Sequence, residues 1–148
     1  MAGEIEVEFE GGGKFTVELF EEVAPKNCEM IWNALPIEAE AIHCAYSGQG
    51  VWAVTHDIKL EQVHVENQKV WGNLPGTLAI DAYGPETNFN RTEIIIVYGP
   101  YYYPRTPFTG DRPINQFGII KSNLDELLET GKKIREFGKQ KVTIRKKL

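Results

Sequence analysis

The chain has 148 residues, 42% of them hydrophobic and 25% charged, which suits one folded domain and excludes a disordered, collagen-like or coiled-coil chain. Two cysteines, Cys28 and Cys44, make no disulfide framework, and no apolar run approaches the ~20 residues that span a bilayer, so no membrane partner is expected. The net charge of −5 is uneven, since residues 131–148 hold eight Lys or Arg and one Glu while acids dominate the remainder, and such an acidic body repels nucleic acid.

Ile5, Val7 and Phe9 alternate with glutamates, Gly11-Gly12-Gly13 turns, and Phe15, Val17 and Leu19 alternate again, which predicts a hairpin with a solvated glutamate face. Ala24-Pro25 opens a helix whose Cys28, Ile31, Trp32 and Leu35 form the packing face, and Pro36 ends it. Cys28 is thereby a small core residue and not a nucleophile. Strands are expected over Ala39–Tyr46 and Val51–Val54, then an irregular stretch over 56–72, and a strand over Gly76–Ile80. Asp81–Arg91 reads as a polar loop, Glu93–Tyr98 as a buried strand, 99–113 as a loop rich in Pro, Tyr and Gly, and Gln116–Ile120 as a strand. Ser122 is placed as the cap of a short helix with Leu124, Leu127 and Leu128 on its apolar face, and Gly131 beyond its end. A last strand, Val142 to Ile144, carries Lys141 and Arg145 outward.

Strands dominate without βαβ alternation. The fold class expected is therefore mainly β: a closed antiparallel β-barrel of about eight strands with two short helices, one domain over 1–148, with the terminal strands close together. Met1-Ala2-Gly3-Glu4 has no basic or apolar run, so the expectation is a reduced, cytoplasmic protein without a secretory signal.

FTVELFEEVAPKNCEMIWNAL (15–35), IHC (42–44), PGTLAIDAYGPETN (75–88), EIII (93–96) and NQFGIIKSNLDELLETGKKI (115–134) occur in the order of matching segments of the cyclophilin barrel, which the chain resembles. That resemblance implies a barrel and a prolyl-isomerase groove in which an arginine stabilises the twisted X-Pro amide beside an apolar pocket. Here the position of that arginine reads Cys44, and a thiol does not replace a fixed guanidinium. The family's glutamine before its Phe-Phe-Ile is Glu93, and its next-loop Trp and His fall near Phe108 and Ile114. NALPIEAEAIHCAYSGQGVWAV (33–54) and TEIIIVYG (92–99) are similar to a smaller group of bacterial and archaeal proteins with a cyclophilin-like barrel and no settled function.

The groove candidates are His43, Tyr46, Gln49, Trp52, Asp81, Asn88, Arg91, Glu93, Tyr98 and Phe108. Arg91 is the cation that substitutes for the missing arginine, or else a surface partner of Glu86 or Glu93. Glu93, if buried, has a raised pKa and can serve as acid or base. His43, His56 and His64 lack metal-ligand spacing, so neither metal nor cofactor is expected. His43 and Cys44 are strand neighbours pointing to opposite faces, which excludes a nucleophilic pair. The aromatic loop 99–113 fits either self-association into a homo-oligomer or ligand contact. The first reading is a binding module for a small molecule or short peptide in the barrel-side groove. The second is a weak peptidyl-prolyl cis-trans isomerase using Arg91, and the third an enzyme built on Glu93 or Asp81.

Overall fold

The computed structural model describes residues 3–83, 90–107 and 110–147. The elements in chain order are β1 (Glu4–Phe9), β2 (Lys14–Leu19), α1 (Pro25–Ala34), β3 (Ile37–His43), β4 (Gly48–Thr55), a 3-10 turn (Leu60–Gln62), β5 (Gln68–Lys69), β6 (Thr77–Tyr83), β7 (Arg91–Tyr102), β8 (Arg105–Thr106), β9 (Gly110–Asp111), β10 (Ile114–Ile120), α2 (Leu124–Phe137) and β11 (Gln140–Lys146). The sheet runs β2-β1-β11-β3-β4-β7-β6-β10, and β10 returns to pair with β2, so eight antiparallel strands close on themselves.

Closure follows from the period-two pattern. Each barrel strand turns an apolar face to the inside of the closed sheet, and β6, β7 and β10 carry buried apolar residues on their other face as well. Ile5 and Val7 of β1, Val51 and Ala53 of β4, Ile94 and Ile96 of β7 and Ile144 of β11 all lie in this interior. Each fully buried large aliphatic side chain contributes roughly 1.5–3 kcal/mol. The terminal strands β1 and β11 pair from Ile5–Lys146 to Phe9–Val142. On the basic outward face of β11, Arg145 bridges Glu6 and Glu8 of β1.

Helix α1 begins at Pro25, as its sequence predicts. Its free amides are satisfied from a distance: the backbone N–H groups of Lys26 and Asn27 donate to the Glu66 carboxylate at 3.1 and 2.7 Å. The Asn27 side chain also exchanges two hydrogen bonds with the backbone of His64. The irregular stretch 56–72 is thus a strap tied across the helix start. Cys28 donates to the Phe117 carbonyl, and burial with nearby Glu21 and Glu66 pushes its thiol up to about 12, which leaves it inert.

Four expectations are corrected. Gly131 is not beyond the second helix but in its middle, because α2 continues to Phe137 with the Tyr98 ring lying on that glycine. Ser122 is not the cap; Asn123 holds that place in a left-handed conformation with φ of 58° and makes no side-chain cap bond. Asp81 is in β6 and not in a loop. The strand from Glu93 extends in both directions, to Arg91 and Tyr102, taking up part of the aromatic loop.

Candidate functional site

The ten candidates do not form one groove. Asn88 and Phe108 lie outside the described residues. The other eight divide by strand alternation into a group at the barrel end and a group on the outer wall.

At the end, His43 of β3 and Tyr98 of β7 point inward. His43 Nδ1 faces the Cys44 carbonyl at 2.9 Å, which only accepts, so Nδ1 carries the proton and Nε2 accepts from the Tyr98 hydroxyl at 2.7 Å. Burial lowers the His43 pKa, in keeping with that neutral ring. The pair floors a groove of about 430 Å³ that includes Tyr46, Gln49, Tyr101 and Arg135. Gln49 is partly used by the fold, accepting from the Tyr101 amide at 3.1 Å.

The outer wall is different in character. Ala79, Ile95, Val97 and Ile114 face outward yet are buried, with Trp52 and Tyr102 packed upon them. The Tyr102 ring lies on Gly50, where a Cβ would come within 2.4 Å of it. The chain's own aromatic side chains thus fill the wall on which the cyclophilin resemblance places an apolar pocket. Cys44 is buried in the same layer, within hydrogen-bonding reach of Tyr102 and Trp52, and burial together with Glu93 raises its pKa well above the ordinary thiol value.

Beside this layer stands a charged array. Glu93 and Asp81 are register partners across β7 and β6, two acids side by side on one face. Like charges so placed repel, and each acid has an arginine. Arg112 reaches Asp81 through Nε at 2.9 Å and Nη2 at 3.3 Å, donates to the Ala82 carbonyl at 2.6 Å, and lies over the Tyr83 ring at 4.4 Å. Arg91 approaches Glu93 at 2.8 Å and lies 5.6 Å from the centre of the Trp52 ring. The two pairs differ in quality. Asp81 also accepts from the Ala82 amide at 2.9 Å, whereas neither Glu93 oxygen makes a well-formed hydrogen bond although the side chain is fully buried.

Burial drives the Glu93 carboxyl up to about 7; Arg91 opposes the rise and Asp81 adds to it. Burial raises Asp81 as well, with Arg112 and the Ala82 amide pulling it back. Two neighbouring acids held in unlike environments are the arrangement from which acid–base chemistry is built.

The array lies between two concavities. One, of about 560 Å³, is bounded by Arg91, Ile42, Val54, His56, Glu38 and Lys141. The other, of about 290 Å³, is bounded by Asp81, Arg112, Asn115 and Val65. Both are of the size that small ligands occupy. Arg91 is therefore the surface partner of Glu93 and also part of a groove wall. Among the described residues, no three His, Cys, Asp or Glu side chains are placed to hold a metal ion.

Sequence reasoning missed Arg112 and Arg135, and took Tyr102 only as one member of the aromatic loop. For Arg112 a signal existed: a guanidinium inside an aromatic, proline-rich loop is costly to bury unless an acid receives it. Arg135 carried no comparable signal.

Comparison with known proteins places the chain. Residues 8–146 match the family described as a protein of unknown function, DUF3830, and the chain belongs to that family. No curated protein matches it in sequence. Among solved structures it is similar to McbB in complex with tryptophan, with a TM-score of 0.77 at 22% identity over 97% of this chain and 44% of that one. The chain thus spans less than half of McbB. It is also similar to the hypothetical protein AF2241 from Archaeoglobus fulgidus, with a TM-score of 0.56 at 21% identity over 99% and 95% of the two chains. The Mimivirus cyclophilin follows, with a TM-score of 0.59 at 15% identity over 97% and 85%. The fold is the cyclophilin-like barrel.

Proposed function

We propose that this member of the DUF3830 family is a binding module for a small molecule, taken up on the outer wall of the barrel around Arg91, Glu93 and Trp52. The observation that carries this reading is Glu93. A fully buried carboxyl with neither oxygen well hydrogen-bonded costs stability, and a barrel wall has no need of it. Perturbed buried acids beside a cleft concentrate at functional sites. The adjoining groove supplies the remaining elements: a guanidinium above an indole, and the apolar side chains Ile42 and Val54 for the body of a ligand. That McbB, part of which has this fold, is known in complex with tryptophan supports a small organic molecule as ligand.

The second reading, a weak prolyl isomerase, takes its support from Arg91, a cation on the same wall as the missing arginine. Against it stands the engagement of that guanidinium by Glu93, which leaves it poorly placed to stabilise a twisted amide. Exchange spectroscopy on X-Pro peptides, with wild type and Arg91→Ala, separates the two. The binding reading predicts unchanged cis/trans exchange together with saturable binding of small aromatic molecules that Arg91→Ala weakens at least tenfold. Accelerated exchange that disappears in the variant would establish the isomerase.

A further inference from the structure

The Arg91–Glu93 pair has one member in the groove and the other behind it. The Arg91 side chain is 28% exposed and bounds the 560 Å³ concavity; Glu93 is sealed beneath it. Whatever enters the groove meets the guanidinium first. A guanidinium presents a planar fork of donors that matches a carboxylate in two parallel hydrogen bonds, whereas the closest approach of Glu93 to it, at 2.8 Å, lacks hydrogen-bond geometry. A well-aligned carboxylate in the groove therefore competes with a poorly aligned one behind it. Ile42 and Val54 line the same concavity, and Trp52 lies under the guanidinium, so the rest of the ligand meets apolar surface. Glu38 and Glu40 bound the same concavity, together with Lys141, and the two acids disfavour a second negative charge on the ligand.

We propose that the ligand of the outer wall is a monocarboxylate with an apolar or aromatic body, and that its carboxylate takes Arg91 from Glu93, so that Glu93 binds a proton as the ligand binds. This rests on the outer wall being the ligand site. The proton balance is simple: one proton moves from solvent to the Glu93 carboxylate, and the buried charge that loses its partner is neutralised. The groups facing Glu93 favour that outcome from every side. Across the ladder Asp81 is an acid whose own charge is taken by Arg112, and the others are the neutral side chains of Tyr83 on β6, Cys44 after β3 and Trp52 on β4. With Arg91 turned to the ligand, only the more distant Arg112 opposes protonation.

The coupling has a definite sign. In the free protein Glu93 titrates at about 7, so at pH 7 it is about half ionised and binding takes up at most about half a proton per ligand, and near pH 8 up to about one when the bound midpoint rises well beyond that pH. The dissociation constant accordingly rises above pH 7, by up to about tenfold per unit.

The probes are indole-3-acetate and its neutral isostere indole-3-acetamide. Carbon-13 NMR follows the Glu93 carboxyl from pH 5 to 9, and calorimetry in two buffers of unlike ionisation enthalpy counts protons. Indole-3-acetate is expected to move the Glu93 midpoint up by one unit or more and to bind with proton uptake. Glu93→Gln is expected to bind it with no buffer dependence. Binding of indole-3-acetate with the midpoint unmoved overturns the exchange of partners. Binding of the acetamide alone overturns the carboxylate while sparing the small-molecule reading. Binding of neither indole overturns both.

Discussion

Glu93 and Asp81 face each other on one rung of a β-ladder, yet only Asp81 has a well-made partner. The difference has consequences for stability. The folded Glu93 carboxyl titrates at about 7 against an ordinary 4.5, so between those values the folded chain holds a proton that the unfolded chain has lost. Its contribution to stability is therefore fully present below about 4.5 and declines as pH rises to 7, a loss of about 3 kcal/mol on the scale of 1.36 kcal/mol per unit. Glu93→Gln keeps the shape and removes the titration. Urea melts at pH 5 and pH 8 should show the variant gaining up to about 3 kcal/mol on wild type at the higher pH and little at the lower; parallel pH profiles would contradict this. Arg112→Met acts in the opposite sense on Asp81. Removing the partner of a buried carboxylate costs about 3 kcal/mol, and the same melts should find that loss at pH 8 but a smaller one at pH 5, where Asp81 can take a proton. The interest of Glu93 was legible in the sequence, as an acid heading an apolar strand. The pairing of Asp81 with Arg112 was not, because the contact spans 31 residues and no periodic pattern connects the two.

At the scale of elements, helix α2 shows where local rules yield to packing. Glycine within a helix costs about 1 kcal/mol relative to alanine, so Gly131 reads as a terminus. The structure keeps it because a Cβ there would come within 2.1 Å of the Tyr98 ring, and that ring holds the hydroxyl against His43. Gly131→Ala is expected to gain helix propensity yet lose about 1–3 kcal/mol net through overpacking. Chemical denaturation measures the loss, and the His43 ring signals should shift with it; a stabilised variant would refute the contact. The strap over 56–72 offers a milder test. Glu66→Ala removes the acceptor of two helix-start amides and should cost about 1 kcal/mol, read as a lowered midpoint in the same denaturation. The strap reads as irregular because its order comes from α1 and not from its own pattern. The hairpin, the start of α1 at Pro25 and the last strand were legible from their periodicity, whereas β6 and β7, buried on both faces, were legible as apolar runs but not in their ends.

For the molecule as a whole, closure of the sheet makes two surfaces from every strand, and this separates the candidates. His43 and Tyr98 go to the barrel end; Trp52, Arg91, Glu93 and Asp81 go to the wall. Sequence spacing gives each side chain a face, but which faces meet depends on strand order, and β4, β7 and β6 become neighbours only in the closed sheet. The resemblance to cyclophilins carried the architecture correctly while leaving the site open, because the residues that differ are those on the wall: Cys44 where an arginine is expected, Glu93 where a glutamine is, and Tyr102 laid over Gly50. The same barrel thereby presents a charged array beside a filled apolar wall.

The three tryptophans provide the most direct test of the outer wall as the binding site. Trp52 lies beneath Arg91, Trp32 is on α1, and Trp71 is exposed beside Tyr103. Their indole N–H signals can be followed in one nitrogen-15 spectrum during titration with small aromatic molecules. The account predicts that the Trp52 signal moves saturably with the Arg91 side-chain signal, while Trp32 and Trp71 stay in place. Saturable movement confined to Trp71, or to the His43 and Tyr98 signals of the barrel end, would contradict it.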